Sequence, residues 1–184
     1  MMICLSIQRT NKLAEKELLF DLDSIDLNHS IADLDEIRSY NPQRFEMEQL
    51  SGILHEDLEE GVAVAYKDIT DDDFWTRGHM PNMPLMPGVI MLEACAQACS
   101  FFCQKNDMLG ADMLGFGGLD EVRFRDPVTP GDRLIIICRL IKARRNRMVV
   151  CKFQGVVNGS LAVEGILRGI PIPTEQLQAV LNSK

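Results

Sequence analysis

The stretch Pro84-Leu85-Met86-Pro87-Gly88-Val89-Ile90-Met91-Leu92-Glu93-Ala94-Cys95-Ala96-Gln97-Ala98-Cys99-Ser100-Phe101-Phe102-Cys103-Gln104 decides the fold. After Gly88 it contains no proline or glycine, and its interior of Ala, Leu, Met and Cys suits a helix. The spacing predicts one helix from about Gly88 to Gln104. Its apolar run, Val89 to Cys103, is broken by Glu93, Gln97 and Ser100. It therefore lacks the ~18 uninterrupted apolar residues of a membrane span. Viewed down the axis at about 100° per residue, Glu93, Gln97, Ser100 and Gln104 form one polar stripe. Two readings of that stripe stand side by side: a solvated face, or a face turned to a pocket. The stripe carries one charge and no Lys or Arg, whereas a solvated face usually carries more. In a pocket, Glu93 could hold a proton at neutral pH and donate it.

On the N-terminal side lies Gly78-His79-Met80-Pro81-Asn82-Met83. Pro81, Pro84 and Pro87 recur every third residue, which predicts a stiff, polyproline-like loop. A loop histidine is ordinarily a surface residue, but a rigid setting suits one that must be held in place. His29 and His55 lack such a setting and read as surface residues. Gly88 opens the helix, so the Gly88 and Val89 amides should point outward unpaired, with the helix dipole behind them. A base at His79, an acid at Glu93 and an oxyanion site at Gly88 and Val89 suit elimination of water beside a carbonyl, or its reverse, without metal or cofactor. No serine or cysteine adjoins His79, and Cys95 projects about 200° from Glu93, which disfavours nucleophilic catalysis.

Further out, residues 45–55 and 61–69 read as strands joined by the acidic turn Glu56 to Glu60. Residues 119–125, 132–143, 147–157 and 160–170 read as four more, with Asn158-Gly159 as a type I′ hairpin turn. Gly115-Phe116-Gly117-Gly118 matches no phosphate-binding loop and reads as a flexible turn or a close-packing segment. Thr174 is expected to cap a short helix over 175–182. Before the first strand, Ser30 with Asp33 suggests a helix start, with Ile31, Leu34 and Ile37 as its apolar face and Pro42 as its stop. Residues 1–40 read as an N-terminal extension and 41–184 as the main domain. Hairpins and one apolar helix predict an α+β fold: a curved antiparallel sheet wrapped around the central helix.

Composition bounds the partners. The 184 residues are 46% hydrophobic and carry a net charge of −8, which disfavours nucleic acid. Lys142, Arg144, Arg145 and Arg147 cluster, either as a solvated turn or as a docking patch for an acidic partner. Six cysteines without a CxxC pair predict buried free thiols rather than zinc ligands. The short N-terminal apolar block, with no cleavage site after it, leads us to expect a cytoplasmic protein.

The motifs Gly78-His79-Met80-Pro81, Pro84-Leu85-Met86-Pro87-Gly88-Val89, Leu92-Glu93-Ala94 with Gln97, Phe124-Arg125 and Pro127-Val128-Thr129-Pro130-Gly131-Asp132 resemble the 3-hydroxyacyl-acyl-carrier-protein dehydratases of the FabZ and FabA class. The resemblance spans roughly residues 40 to 172. It implies the hot-dog fold and a homodimer whose two sites lie at the subunit interface, with trimers of such dimers as a further assembly. It implies His79 as the base of one chain and Glu93 as the acid of the other. It also implies the Gly88 amide, with Val89, on the thioester oxygen, the Leu85 carbonyl on the histidine, and Gln97 in the substrate site. The substrate would be a thioester of acyl carrier protein, which is acidic, so Lys142 to Arg147 become a candidate docking surface. Glu93, rather than aspartate, resembles the FabZ branch. The chain departs from the family at Met80, where phenylalanine is usual, at Pro42-Gln43-Arg44 in place of proline-histidine-arginine, and in its longer N-terminal extension. Rival readings are a hot-dog thioesterase, a hydratase acting on coenzyme A thioesters, and a non-catalytic acyl-binding subunit of a heterodimer.

Overall fold

A computed structural model describes residues 17–183. The central helix α2 spans Gly88–Lys105, one residue beyond the expected end. It is buried almost all round: Met91 and every residue from Ala94 to Cys103 are inaccessible. A helix buried this completely must be enclosed: a six-stranded sheet covers its apolar side, and residues 41–49 cover Gln97. The strands are β1 (Gly52–Asp57), β2 (Val62–Asp68), β3 (Met113–Phe124), β4 (Arg133–Arg144), β5 (Met148–Val157) and β6 (Ser160–Ile172). They pair antiparallel in the order β1-β2-β4-β5-β6-β3, leaving β1 and β3 as edges. This is the α+β, hot-dog arrangement expected. Asn158 (φ 50°) and Gly159 (φ 78°) form the β5–β6 turn with both residues left-handed, as a type I′ turn requires.

Two apolar cores result. The inner one packs Phe101, Cys99 and Ala98 of α2 against Leu134, Ile136, Phe153 and Leu167 of the sheet. The outer one covers the opposite sheet face. There Leu18, Leu19, Phe20, Leu22, Ile25 and Leu27 lie over Val62, Val64, Ile135, Ile137 and Val156. Gln154 Oε1 accepts from the Leu19 amide (2.7 Å), and the Arg139 guanidinium donates to the Leu19 carbonyl (2.8 and 3.0 Å), pinning this strap down.

Several local expectations are corrected. Helix α1 spans Leu34–Tyr40, not from Ser30; Asp33 caps it by accepting the Glu36 amide (3.0 Å), while the Ser30 hydroxyl lies 3.1 Å from the Tyr66 hydroxyl. Ile37 is its one buried apolar residue, because Ala32 bridges to Ile53 and turns Ile31 outward. Phe45–Met47 is a single 3-10 turn, so the first strand begins only at Gly52. Gly115 to Gly118 lie within β3 rather than in a turn. Gly115 and Gly117 fit the close-packing reading, because β6 crowds them: a Cβ on Gly117 would sit 2.7 Å from Ile170. Helix α3 (Thr174–Asn182) includes Thr174, whose hydroxyl donates to Asp112 (3.2 Å) rather than capping the helix. His55 is not a plain surface residue: its ring stacks on Phe20 with centroids 4.7 Å apart. Among the described residues no helix is long and apolar enough to cross a membrane. Cys4 lies outside them.

Candidate active site

Residues 71–87 contain no helix or strand, yet hydrogen bonds fix their path. Trp75 is buried, and its carbonyl accepts the amides of Gly78 (3.1 Å) and His79 (2.8 Å). The Leu85 amide returns to the His79 carbonyl (2.9 Å), and the Met86 amide reaches Val128 (2.8 Å), tying the loop to the Pro127–Pro130 turn. The polyproline expectation fails over 80–83. Met80 and Met83 exchange both backbone hydrogen bonds (3.1 and 2.9 Å) around left-handed Asn82, whereas polyproline II has no internal bonds. Pro87 keeps such angles (φ −58°, ψ 134°), just before the helix. The His79–Met80 peptide bond is cis.

The His79 ring is exposed, with Nδ1 2.8 Å from the Leu85 carbonyl oxygen. A carbonyl can only accept, so Nδ1 carries the hydrogen and Nε2 offers a free lone pair. At the start of α2 the Ile90 and Met91 amides turn back to the Pro87 carbonyl (2.9 and 3.0 Å). The Gly88 and Val89 amides precede them and have no partner among the described residues. They are two of the orphan donors that every helix start presents. A Cβ at Gly88 would meet the Phe124 ring at 2.8 Å, so only glycine leaves this backbone open. His79, Leu85, Gly88, Val89, Phe124 and Arg125 line one open groove of about 590 Å³. Val89, 71% exposed, stands at its edge.

Glu93 does not line that groove. It lies about one turn further along α2, partly buried, against the segment that follows α1. Its Oε1 accepts from Gln97 Nε2 (2.8 Å) and Gln43 Nε2 (3.3 Å). The polar stripe is therefore not a solvated face: Gln97 is 2% exposed and Ser100 5%. Gln97 was expected on the substrate, but its amide is fully engaged. Its Oε1 accepts the Gln49 amide (2.9 Å), and its Nε2 donates to the Met47 carbonyl (2.7 Å) as well as to Glu93. Within the chain it holds Glu93. Asn41 Nδ2 donates to the Gln97 carbonyl (2.9 Å), and Arg44 gathers the carbonyls of Arg38, Asn41 and Gln43. Arg38 grips Glu48 (2.6 Å), and that hydrogen bond holds the Glu48 carboxyl below its ordinary range. The result is a braced amide clamp on one carboxylate. Gln43 escaped the residue-by-residue reading; its only signal was the departure from the family's usual histidine.

The basic cluster lies elsewhere. Lys142, Arg144, Arg145 and Arg147 occupy the β4–β5 hairpin, where the Asn146 amide bonds to Leu109 (2.7 Å) and Arg145 pairs with Asp107 (2.7 Å). That is the C-terminal end of α2. At 1.5 Å per residue, an 18-residue helix puts it about 27 Å from the His79 end. The structure does not bring these cations to the groove within one chain.

The comparisons with known proteins bear on family and fold. The family model described as FabA-like domain matches residues 41–166. A 3-hydroxyacyl-[acyl-carrier-protein] dehydratase FabZ of Aromatoleum aromaticum is 36% identical, over 73% of this chain and 94% of the relative. A protein of the same name from Streptococcus pneumoniae is 33% identical with the same coverage. Among solved structures, the dehydratase heterocomplex ApeI:P from Xenorhabdus doucetiae superposes with a TM-score of 0.63 at 18% identity, covering 78% of this chain and 96% of that one. The E. coli PaaI protein of the phenylacetic acid degradation operon gives 0.51 at 16% identity, covering 64% and 80%. These two show the fold alone.

Proposed function

The chain belongs to the FabA-like family, and from that premise we propose that it dehydrates 3-hydroxyacyl thioesters of acyl carrier protein to trans-2-enoyl thioesters in fatty acid biosynthesis. The observation that carries the chemistry is the His79–Leu85 hydrogen bond, which leaves Nε2 as the free base. In this reading Nε2 removes the proton α to the thioester. Negative charge then builds on the thioester oxygen, where the Gly88 and Val89 amides donate to it. The bond from Cβ to the hydroxyl breaks as Glu93 delivers a proton to the departing oxygen, and water leaves. The proton on the imidazole returns to the carboxylate before the next turnover. Gln43 and Gln97 occupy Oε1, so the other carboxyl oxygen is the one that faces substrate.

Glu93 does not line the His79 groove of its own chain, so a homodimer is part of the proposal, each groove receiving Glu93 of a second copy. Edge strand β3 supports it: Phe116 (49% exposed) and Phe124 (50%) lie on an unpaired, bulged edge, a template for a partner strand. The acidic carrier is proposed to dock on Lys142, Arg144, Arg145 and Arg147. Their charge and exposure support this, and the distance from His79 requires that the acyl arm enter a site completed elsewhere in the assembly. The division at residue 40 belongs to the same reading, with residues 17–40 acting as a brace over the sheet and α2. So does a cytoplasmic setting, supported by five described cysteines that are all free thiols.

The test is hydration of a crotonyl thioester by the purified chain. Turnover that vanishes in Glu93→Gln, with an unchanged circular dichroism spectrum, is expected. Retained turnover in that variant, or release of free thiol in place of hydration, contradicts the assignment.

A further inference from the structure

The inner core holds a thiol cluster that the acid–base chemistry does not use. Cys95, Cys99 and Cys103 lie on α2, and Cys138 of β4 and Cys151 of β5 meet that helix from the sheet. All five are free and wholly buried. The Sγ atoms of Cys99, Cys138 and Cys151 lie within 4.8 Å of one another. Cys138 Sγ stands 2.9 Å from Cys99 Sγ, less than about 1 Å beyond the ~2.05 Å of a disulfide. Cys103 and Cys151 sulfurs are 3.9 Å apart.

Clustered thiols can capture a soft metal or be oxidised. Capture requires several of them to lose protons together. Three thiolates around a mono- or divalent ion would leave net negative charge in the buried inner core, which is costly in apolar surroundings. A disulfide is neutral and needs one reactive sulfur. Hydrogen bonds from Cys138 and Cys151 draw the Cys99 thiol below its ordinary value, while Cys138, bonded to Cys151 and Cys99, is pushed up. The Cys99 and Cys138 sulfurs already stand within reach of closure, and, both being wholly buried, they meet peroxide when the core opens locally.

We propose that Cys99 and Cys138 are a hydroperoxide-oxidisable pair that closes into an internal disulfide, stapling the central helix to β4. The Cys99 sulfur attacks one peroxide oxygen. An S–O bond forms, the O–O bond breaks, and the leaving hydroxide takes the thiol proton to become water. Cys138 sulfur then attacks the Cys99 sulfenic acid. The S–S bond forms, the S–O bond breaks, and the Cys138 proton leaves with the hydroxide as a second water. Two thiols are oxidised by two electrons and one peroxide is reduced. The new bond spans 39 positions of sequence, a separation long enough to restrict the unfolded chain appreciably.

The test treats the full chain with hydrogen peroxide, removes the excess, and alkylates under denaturing conditions. The expected product has lost two hydrogens and carries two fewer alkylated cysteines than the six of the chain. A digest should link Cys99 to Cys138, and the thermal midpoint should rise by roughly 5 °C. Cys138→Ser should abolish the link and Cys151→Ser should retain it. Peptide mapping of the unsubstituted chain decides the matter even where a variant fails to fold. Six alkylated cysteines after treatment, oxygen adducts alone, a link through Cys151 or Cys103, or one equivalent of zinc or copper retained on the thiols would each overturn the proposal.

Discussion

His79 and Glu93 are held in opposite ways. His79 sits on a loop fixed by main-chain hydrogen bonds, makes one side-chain contact, to the Leu85 carbonyl, and faces an open groove. Glu93 sits on a buried helix and is gripped by two side-chain amides, themselves braced by Asn41, Arg44, Met47 and Gln49. The carboxylate half is thus finished within one chain, while the imidazole half lacks a wall. That contrast is what the proposed dimer answers, with each groove receiving Glu93 of a second copy.

The largest effects should follow from deleting either half. His79→Ala and Glu93→Gln should each lower crotonyl-thioester hydration by about 10²–10⁴-fold, with stability little changed, measured by steady-state kinetics and thermal melts. Next comes the clamp, where the two halves should diverge. Gln97→Leu and Gln43→Ala each remove a hydrogen bond to the Glu93 carboxylate, worth about 1.5–3 kcal/mol; Gln97→Leu also strands the Gln49 amide and the Met47 carbonyl, so its thermal midpoint should fall as well. They should cut kcat by about tenfold or more and shift the acid limb of the pH–rate profile, with KM nearly constant. Equal losses in kcat and in thermal midpoint, with an unmoved pH profile, would mark Gln43 as merely structural. On the groove side, Gly88→Ala should act through KM. Its Cβ must displace the Phe124 ring, which is half exposed and able to move. Stability should therefore change by no more than about 1 kcal/mol while KM rises several-fold. The smallest effect concerns docking. Arg144→Glu with Arg147→Glu should raise KM a few-fold for a carrier-protein thioester and leave a coenzyme A thioester unaffected. An identical response to both substrates removes the patch from the account.

The helix and the strands around it were legible because their pattern is their burial. The residues from Val89 to Cys103 carry no breaker, and the segments at 132–143, 147–157 and 160–170 match β4, β5 and β6 nearly to the residue. His79, Gly88 and Glu93 were legible because proline, glycine and a lone carboxyl break an apolar context. Other features depend on partners distant in sequence. Gly117 belongs to a strand only because Ile170 passes over it. Leu18 to Leu27 read as part of an N-terminal extension, and Arg139 and Gln154, more than a hundred positions away, fix them over the sheet. Gln97 stood out in the stripe, but nothing in local spacing announces that Met47 and Gln49 will engage its amide.

Complementation tests the division of labour between the two halves most directly. His79→Ala and Glu93→Gln chains are each inactive. Unfolded together and refolded as a mixture, they should assort so that half the dimers are mixed, each with one intact site of two, restoring about one quarter of native activity. A mixture no more active than its separate components would mean that both groups serve one chain's own site, and the shared-site account would fail.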